Sequence, residues 1–234
     1  MRSIRPLLPV LFLTILAPLH AAETAKKGEY PDPKRFEKAI VEYETKDAKS
    51  PPPQNAIVFY GSSSIVGWHG TLVRDFAPMT VVPRGFGGST MNDALYYLDR
   101  TLLPCKPKAV VIYEGDNDIA AGVSPEKIRD TFRSLIARLR ERLPETRVYL
   151  LAIKPSPSRW ALWPKAAQAN KLLREECEKD KRLTFVDTAA PMLKPDGTVR
   201  EDLFKADRLH MNADGYILWR DVLRPILEKS EQAR

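Results

Sequence analysis

The stretch that decides the fold reads Ala56-Ile57-Val58-Phe59-Tyr60-Gly61-Ser62-Ser63-Ser64. Five consecutive apolar residues, mostly β-branched or aromatic and without polar alternation, describe a strand buried on both faces, and glycine followed by serines ends it in a turn. Such strands belong to parallel sheets, whose neighbours are joined by helical crossovers. The rest of the chain repeats the pattern. Thr80–Val82, Ala109–Tyr113, Val148–Ala152 and Thr184–Val186 are further short runs of the same kind. Helical spacing predicts helices over 34–47, 90–101, 125–142, 165–180 and about 212–228. Ser124-Pro125 reads as an N-cap and first-turn pair, and Asn212 as the cap of the last helix. Pro51-Pro52-Pro53 ends the first helix, and Lys194-Pro195-Asp196-Gly197 reads as a tight turn. Strands alternating with helices predict the α/β class: a doubly wound sandwich on a five-stranded parallel sheet.

Length and composition bound what that sheet carries. A chain of 234 residues, 44% hydrophobic, suffices for one well-buried domain. Residues 1–22 read as a secretory signal, with Arg2 and Arg5 before the apolar run Leu7–Leu19 and small residues at Ala21 and Ala22. The run is shorter than the ~20 residues of a membrane span, and Pro6, Pro9 and Pro18 disfavour a spanning helix. The expected division is a signal peptide over 1–22, a leader (mobile over 23–33) and N-terminal helix packed on the domain over 23–54, and one domain over 55–234. The expected location is outside the cytoplasm, periplasmic or secreted, with no stable membrane insertion after cleavage. In an oxidising compartment Cys105 and Cys177 form either a disulfide or two buried thiols. The formal charge is +7, and loss of Arg2 and Arg5 leaves +5. Lys and Arg are spread along the chain beside Glu and Asp, without the basic stripe and interleaved aromatics of a nucleic-acid footprint.

In a doubly wound sheet ligands bind beyond the carboxyl ends of the strands. Three polar segments fall there: Gly61-Ser62-Ser63-Ser64 after the first strand, Arg84-Gly85-Phe86-Gly87-Gly88-Ser89-Thr90 after the second, and Gly115-Asp116-Asn117-Asp118 after the third. A fourth, Asp207-Arg208-Leu209-His210, lies in the last loop before the final helix. Serine is a weak nucleophile that needs a base titrating near neutrality, usually histidine. Of His20, His69 and His210, the first lies in the signal and the second beside Gly70 in a turn, where a surface or structural role fits it. His210 has Asp207 three residues earlier, close enough to orient the ring and stabilise its charged form. Ser62, Ser63 and Ser64 compete as nucleophile. Asp116 and Asp118 also admit a metal site, but two histidines and no thiolate cluster support one poorly.

The four segments in this order resemble the SGNH (GDSL-type) hydrolase superfamily, and within it the GDSL-like lipase/acylhydrolase branch related to platelet-activating-factor acetylhydrolase subunits. The resemblance spans about residues 55–225. It implies a flavodoxin-like three-layer α/β/α sandwich and a Ser-His-Asp mechanism without metal or organic cofactor. The family motif Gly-Asp-Ser places its nucleophile two residues after the glycine, at Ser63; Ser62 stands where the family has Asp. The oxyanion donors it implies are the Ser63 amide, the Gly88 amide (with Gly85 and Gly87 as alternatives) and the Asn117 side chain. Gly-x-Ser-x-Gly is missing at the first strand end, so the α/β-hydrolase elbow does not fit.

The expected activity is hydrolysis of acyl esters, small acyl groups such as acetyl on carbohydrate above all. The loop Lys154-Pro155-Ser156-Pro157-Ser158-Arg159-Trp160 should border the site. Trp160 and Trp163 fit either a sugar-stacking wall or core packing; Arg159 and Arg84 fit either an anion site or solvated surface. A non-catalytic carbohydrate-binding module and an acyltransferase to a sugar acceptor remain open alternatives; a phosphodiesterase is weaker.

Overall fold

The structure is a computed structural model that describes residues 27–231. Five strands form one sheet: β1 (Ile57–Gly61), β2 (Val81–Gly85), β3 (Ala109–Tyr113), β4 (Arg147–Leu151) and β5 (Leu183–Val186). Their spatial order is β2-β1-β3-β4-β5 and every pairing is parallel. This is the flavodoxin-like order, whose switch point lies between β1 and β3.

Nine helices flank the sheet among the described residues: α1 (Glu37–Lys49), α2 (Ser63–Trp68), α3 (Leu72–Phe76), α4 (Met91–Tyr96), α5 (Leu98–Thr101), α6 (Asp116–Ala120), α7 (Pro125–Arg142), α8 (Trp163–Cys177) and α9 (Ala213–Glu231). Alternate strand residues serve the two faces. Val58, Tyr60, Val110, Ile112, Val148 and Leu150 meet Met91, Leu98, Leu135 and Leu173 of α4, α5, α7 and α8. Ile57, Phe59, Val111, Tyr113, Tyr149 and Leu151 meet Trp68, Phe76, Trp219 and Leu223 of α2, α3 and α9. The result is the three-layer α/β/α sandwich.

Four local readings change. β2 continues through Pro83, where the sequence pattern stops, because β2 is an edge strand and a proline is tolerated there. The helix expected over 90–101 breaks at Tyr97 into α4 and α5. The buried Tyr60 hydroxyl donates to the Ala94 carbonyl at 2.7 Å, the acceptor that the Leu98 amide would use in a continuous helix. The first helix begins as a 3-10 turn, Pro33–Phe36, capped by Asp32. The leader is hydrogen-bonded to the domain from residue 28 onward. The Gly28 amide donates to the Ala121 carbonyl at 3.2 Å, and the Tyr30 hydroxyl to Thr131 Oγ1 at 3.1 Å. The expected signal, residues 1–22, lies outside the described residues.

Ser124 and Asn212 cap α7 and α9 through their side chains. Cys105 and Cys177 are buried free thiols; burial raises both, Cys177 to about 12.

Candidate active site

The strand end at Gly61 sets the first part of the site. Gly61 has φ +140°, and a Cβ there would lie 2.1 Å from the Tyr113 carbonyl oxygen, so only glycine fits between β1 and β3. Ser62, extended, then opens α2, and Ser63 is its first residue. The Ser63 amide is therefore one of the helix's leading N–H groups, which have no intrahelical acceptor. Ser62 and Ser64 are buried, whereas Ser63 is half-exposed.

The chain returns to Ser63 through the loop before α9. An isolated bridge pairs Phe204 with Met211, and the Lys205 amide donates to the His210 carbonyl at 2.8 Å. Arg208 takes a left-handed φ of 58° at the tip. Asp207 and His210 thus sit in a closed turn within the loop before α9. Asp207 Oδ1 accepts from the Leu209 and His210 amides, each at 2.9 Å, and Oδ2 lies 2.7 Å from His210 Nδ1. Hydrogen bonds from the His210 ring and from these two amides hold the Asp207 carboxyl well below the usual carboxylate range. An ionised carboxylate only accepts, so Nδ1 carries the ring hydrogen and Nε2 faces Ser63 as the acceptor. His210 Nε2 lies 3.1 Å from Ser63 Oγ, and of the three serines Ser63 is the one it meets.

His69 is elsewhere. Its Nε2 accepts from the Gly85 amide at 3.3 Å. Burial first, then Arg84 and Lys46, holds its ring below the usual histidine value.

The second strand end supplies the Gly85–Ser89 turn. The Phe86 amide donates to the Gly61 carbonyl at 2.9 Å, which ties this turn to the one that carries Ser63. A Cβ on Gly87 would come within 3.8 Å of Ser63 Cβ. Gly88 has φ +87° and open space where a Cβ would stand, so glycine is needed there for backbone conformation and not for room. From the third strand end Asn117, on α6, donates through Nδ2 to the Ser89 carbonyl at 2.9 Å. Its second Nδ2 hydrogen has no partner among the described residues. Ser63, Gly88 and Asn117 therefore converge from the ends of β1, β2 and β3, across the switch point.

Residues 52–218 match the GDSL-like Lipase/Acylhydrolase family. The chain belongs to this family. It is an ester hydrolase. The curated relatives include the human platelet-activating factor acetylhydrolase IB subunit alpha1, 28% identical over 179 residues and covering 73% of each chain. Similar solved structures include a GDSL-like lipase from Bacteroides thetaiotaomicron (TM-score 0.69, 21% identity, 82% of this chain and 98% of that one). Another is a catalytic mutant of an acetylxylan esterase from Geobacillus stearothermophilus (TM-score 0.59, 17% identity, 74% and 93%). Both likenesses are of fold.

Around these residues the GDSL-family hydrolase has a supporting shell that its sequence did not reveal. Arg159 is engaged within the protein. It pairs with Asp116 Oδ1 at 2.8 Å and donates to Asn117 Oδ1 from both terminal nitrogens at 3.2 Å, so it orients the Asn117 amide. The buried Lys154 ammonium lies 2.8 Å from Asp116 Oδ2. Burial pushes the Asp116 carboxyl up, but Lys154 and Arg159 outweigh it and hold Asp116 below its ordinary value.

Behind Asn117, the Ser89 hydroxyl donates to Glu114 Oε1 at 2.6 Å. Glu114 is fully buried, and among the described residues no cation pairs with it and its Oε2 has no partner. Burial, then the neighbouring Asp118, raises its carboxyl well above the usual range. Asp118 accepts from the Met91 amide at 3.0 Å and is pushed up to about 7 by burial. The signal was present as an acidic residue inside an apolar strand end, Tyr113-Glu114-Gly115, but burial alone gives it meaning.

Trp160 stacks on Trp163 with ring centres 6.2 Å apart and planes within 9°, both half-buried beside the Arg159 loop. Arg84 is buried and bonded to both oxygens of Asp47 at 2.7 Å, which removes it as an anion site.

Proposed function

We propose that the enzyme hydrolyses small acyl esters through an acyl-enzyme on Ser63. The observation that carries this reading is the continuous chain Asp207 Oδ2–His210–Ser63 Oγ, at 2.7 and 3.1 Å. His210 takes the hydroxyl proton as Ser63 Oγ attacks the ester carbonyl. The oxygen that becomes negative rests on the Ser63 and Gly88 amides and on the free N–H of Asn117, each donor worth ~3 kcal/mol in the transition state. Collapse expels the alcohol, which receives the proton from His210. Water then attacks the acyl carbonyl with His210 as base, and the acid leaves Ser63. Asp207 holds the Nδ1–H tautomer and stabilises the ring while it is charged.

Acetyl on a carbohydrate alcohol is the substrate class we favour. Both the acetylhydrolase subunit and the acetylxylan esterase similar to this chain act on acetyl groups by their names. The stacked Trp160–Trp163 pair beside the site supports a sugar-facing wall. Export belongs to the same proposal and rests on Arg2, Arg5 and the apolar run to Leu19. The test compares p-nitrophenyl acetate, butyrate and octanoate with acetylated xylan, in the parent and in Ser63→Ala and His210→Ala. Acetate and acetylated xylan should be preferred, and both variants should lose activity. A preference for octanoate would sink the small-acyl reading.

A further inference from the structure

Helix α1 precedes the family-matched residues 52–218, yet it forms one wall of a groove of about 500 Å³ that reaches the active-site turn. That volume lies within the ~300–1,000 Å³ of small-ligand sites. We infer that this groove, between α1 and the Gly85–Gly87 turn, is the subsite for the alcohol part of the ester, and that it takes a neutral, hydroxyl-rich group such as a sugar ring. The inference rests on the small-acyl reading above, since a small acyl group leaves the larger half of the substrate to be bound elsewhere.

The groove adjoins the nucleophile. Gly87 lines it, and Gly87 is the residue whose Cβ would stand 3.8 Å from Ser63 Cβ. Its wall is fixed in place. The Tyr43 hydroxyl of α1 donates to the Gly85 carbonyl at 2.6 Å, and Asp47 holds Arg84 with both oxygens. Phe36, just before α1, packs edge-on against Phe86 with ring centres 5.3 Å apart.

The lining has the mixture a sugar needs. Phe36 and the exposed Val66 offer apolar surface to ring C–H groups. His69 accepts the Gly85 amide at Nε2, so its hydrogen is on Nδ1, which has no partner among the described residues. Lys46 and Glu42, four residues apart on α1, line the rim and make no ion pair among the described residues. They supply one donor group and one acceptor group whose charges cancel. Arg84 is already neutralised by Asp47. A long acyl chain would leave these polar groups without partners, and an anionic ligand would meet Glu42. A polyol satisfies both signs.

The test fills the groove from its exposed side with Val66→Trp and, separately, removes a rim group with Lys46→Ala. Acetylated xylotriose, p-nitrophenyl acetate and p-nitrophenyl octanoate are the probes, and melting curves confirm folding. In both variants the kcat/KM for acetylated xylotriose should fall roughly tenfold relative to that for p-nitrophenyl acetate, the scale of losing one or two hydrogen bonds, with the change carried by KM. An unchanged ratio in a parent that cleaves acetylated xylotriose overturns the groove assignment and leaves the esterase reading standing. A selective fall for octanoate makes the groove an acyl site and also overturns it. A parent that cleaves p-nitrophenyl acetate but no acetylated oligosaccharide refutes the carbohydrate reading, and the subsite with it.

Discussion

Asn117 offers the sharpest separation of a catalytic donor from a structural one. Its Nδ2 gives one hydrogen to the Ser89 carbonyl at 2.9 Å and the other has no partner among the described residues, while Arg159 grips its Oδ1 with two bonds of 3.2 Å. Asn117→Ala removes an oxyanion donor, which costs about 10²–10³ in kcat, or ~3–4 kcal/mol, with little change in KM. It also removes the bonds to Ser89 and Arg159, each worth about 1 kcal/mol net. Asn117→Asp is nearly the same shape. A carboxylate pairs better with Arg159, so the melting temperature should fall less than in Asn117→Ala. It donates to nothing, however, and places negative charge where the oxyanion forms, so kcat should fall at least as far as in the alanine variant. Both are read from p-nitrophenyl acetate kinetics beside thermal melting. Asn117→Asp retaining kcat within about fivefold, when a lost donor costs at least ~10², would refute the reasoning. So would kcat losses in the two variants that simply track their stability.

Further expectations rest on separate contacts. Glu114, buried with its carboxyl pushed upward, should act as a positioning residue for Ser89: Glu114→Gln should keep kcat within a few-fold, whereas Glu114→Ala, which leaves the Ser89 hydroxyl unpaired, should lower it while KM holds. Because its folded-state affinity for a proton exceeds the unfolded one, the parent loses stability as pH rises above the usual glutamate value of 4.5, and the melting temperature of Glu114→Gln should gain on the parent over that range. Glu176 behaves oppositely. Its hydrogen bond to Arg133 outweighs burial and, with Lys179, lowers it to about 2, so Glu176→Gln should melt below the parent at pH 7 and the gap should close as pH falls from 4.5 toward 2. Gly88→Ala meets no steric obstacle but must hold φ +87°, which costs ~1–2 kcal/mol; calorimetry should show that loss together with a lower kcat as the turn relaxes.

The sheet was legible because each strand is a short apolar run with no polar alternation, and the position of the three polar turns followed from strand polarity alone. Edge effects were not legible. Pro83 looks like a strand stop until β2 is known to be at the edge, and the break at Tyr97 depends on a hydroxyl from Tyr60, 37 positions earlier in the chain. At the candidate site, His210 stood out because few histidines remained and Asp207 was near. The choice among Ser62, Ser63 and Ser64 leaned on the family resemblance, and the approach of His210 to Ser63 Oγ is a tertiary fact. The partners of Arg159 were hidden for the same reason. A loop arginine looks available to substrate until Asp116 and Asn117 are found on its guanidinium. Glu114 showed only as an acidic residue at an apolar strand end, and Ser89 carried no pattern, since their contact joins two strand ends through the fold.

The central claim is that Ser63 is the nucleophile, and active-site labelling tests it most directly. The intact protein is treated with a fluorophosphonate, which traps an activated serine, and the labelled peptide is mapped by mass spectrometry. The account predicts a single label on Ser63 that appears as p-nitrophenyl acetate hydrolysis is lost, and no label in Ser63→Ala or His210→Ala. A label on Ser62 or Ser64, or full activity in Ser63→Ala, would contradict it.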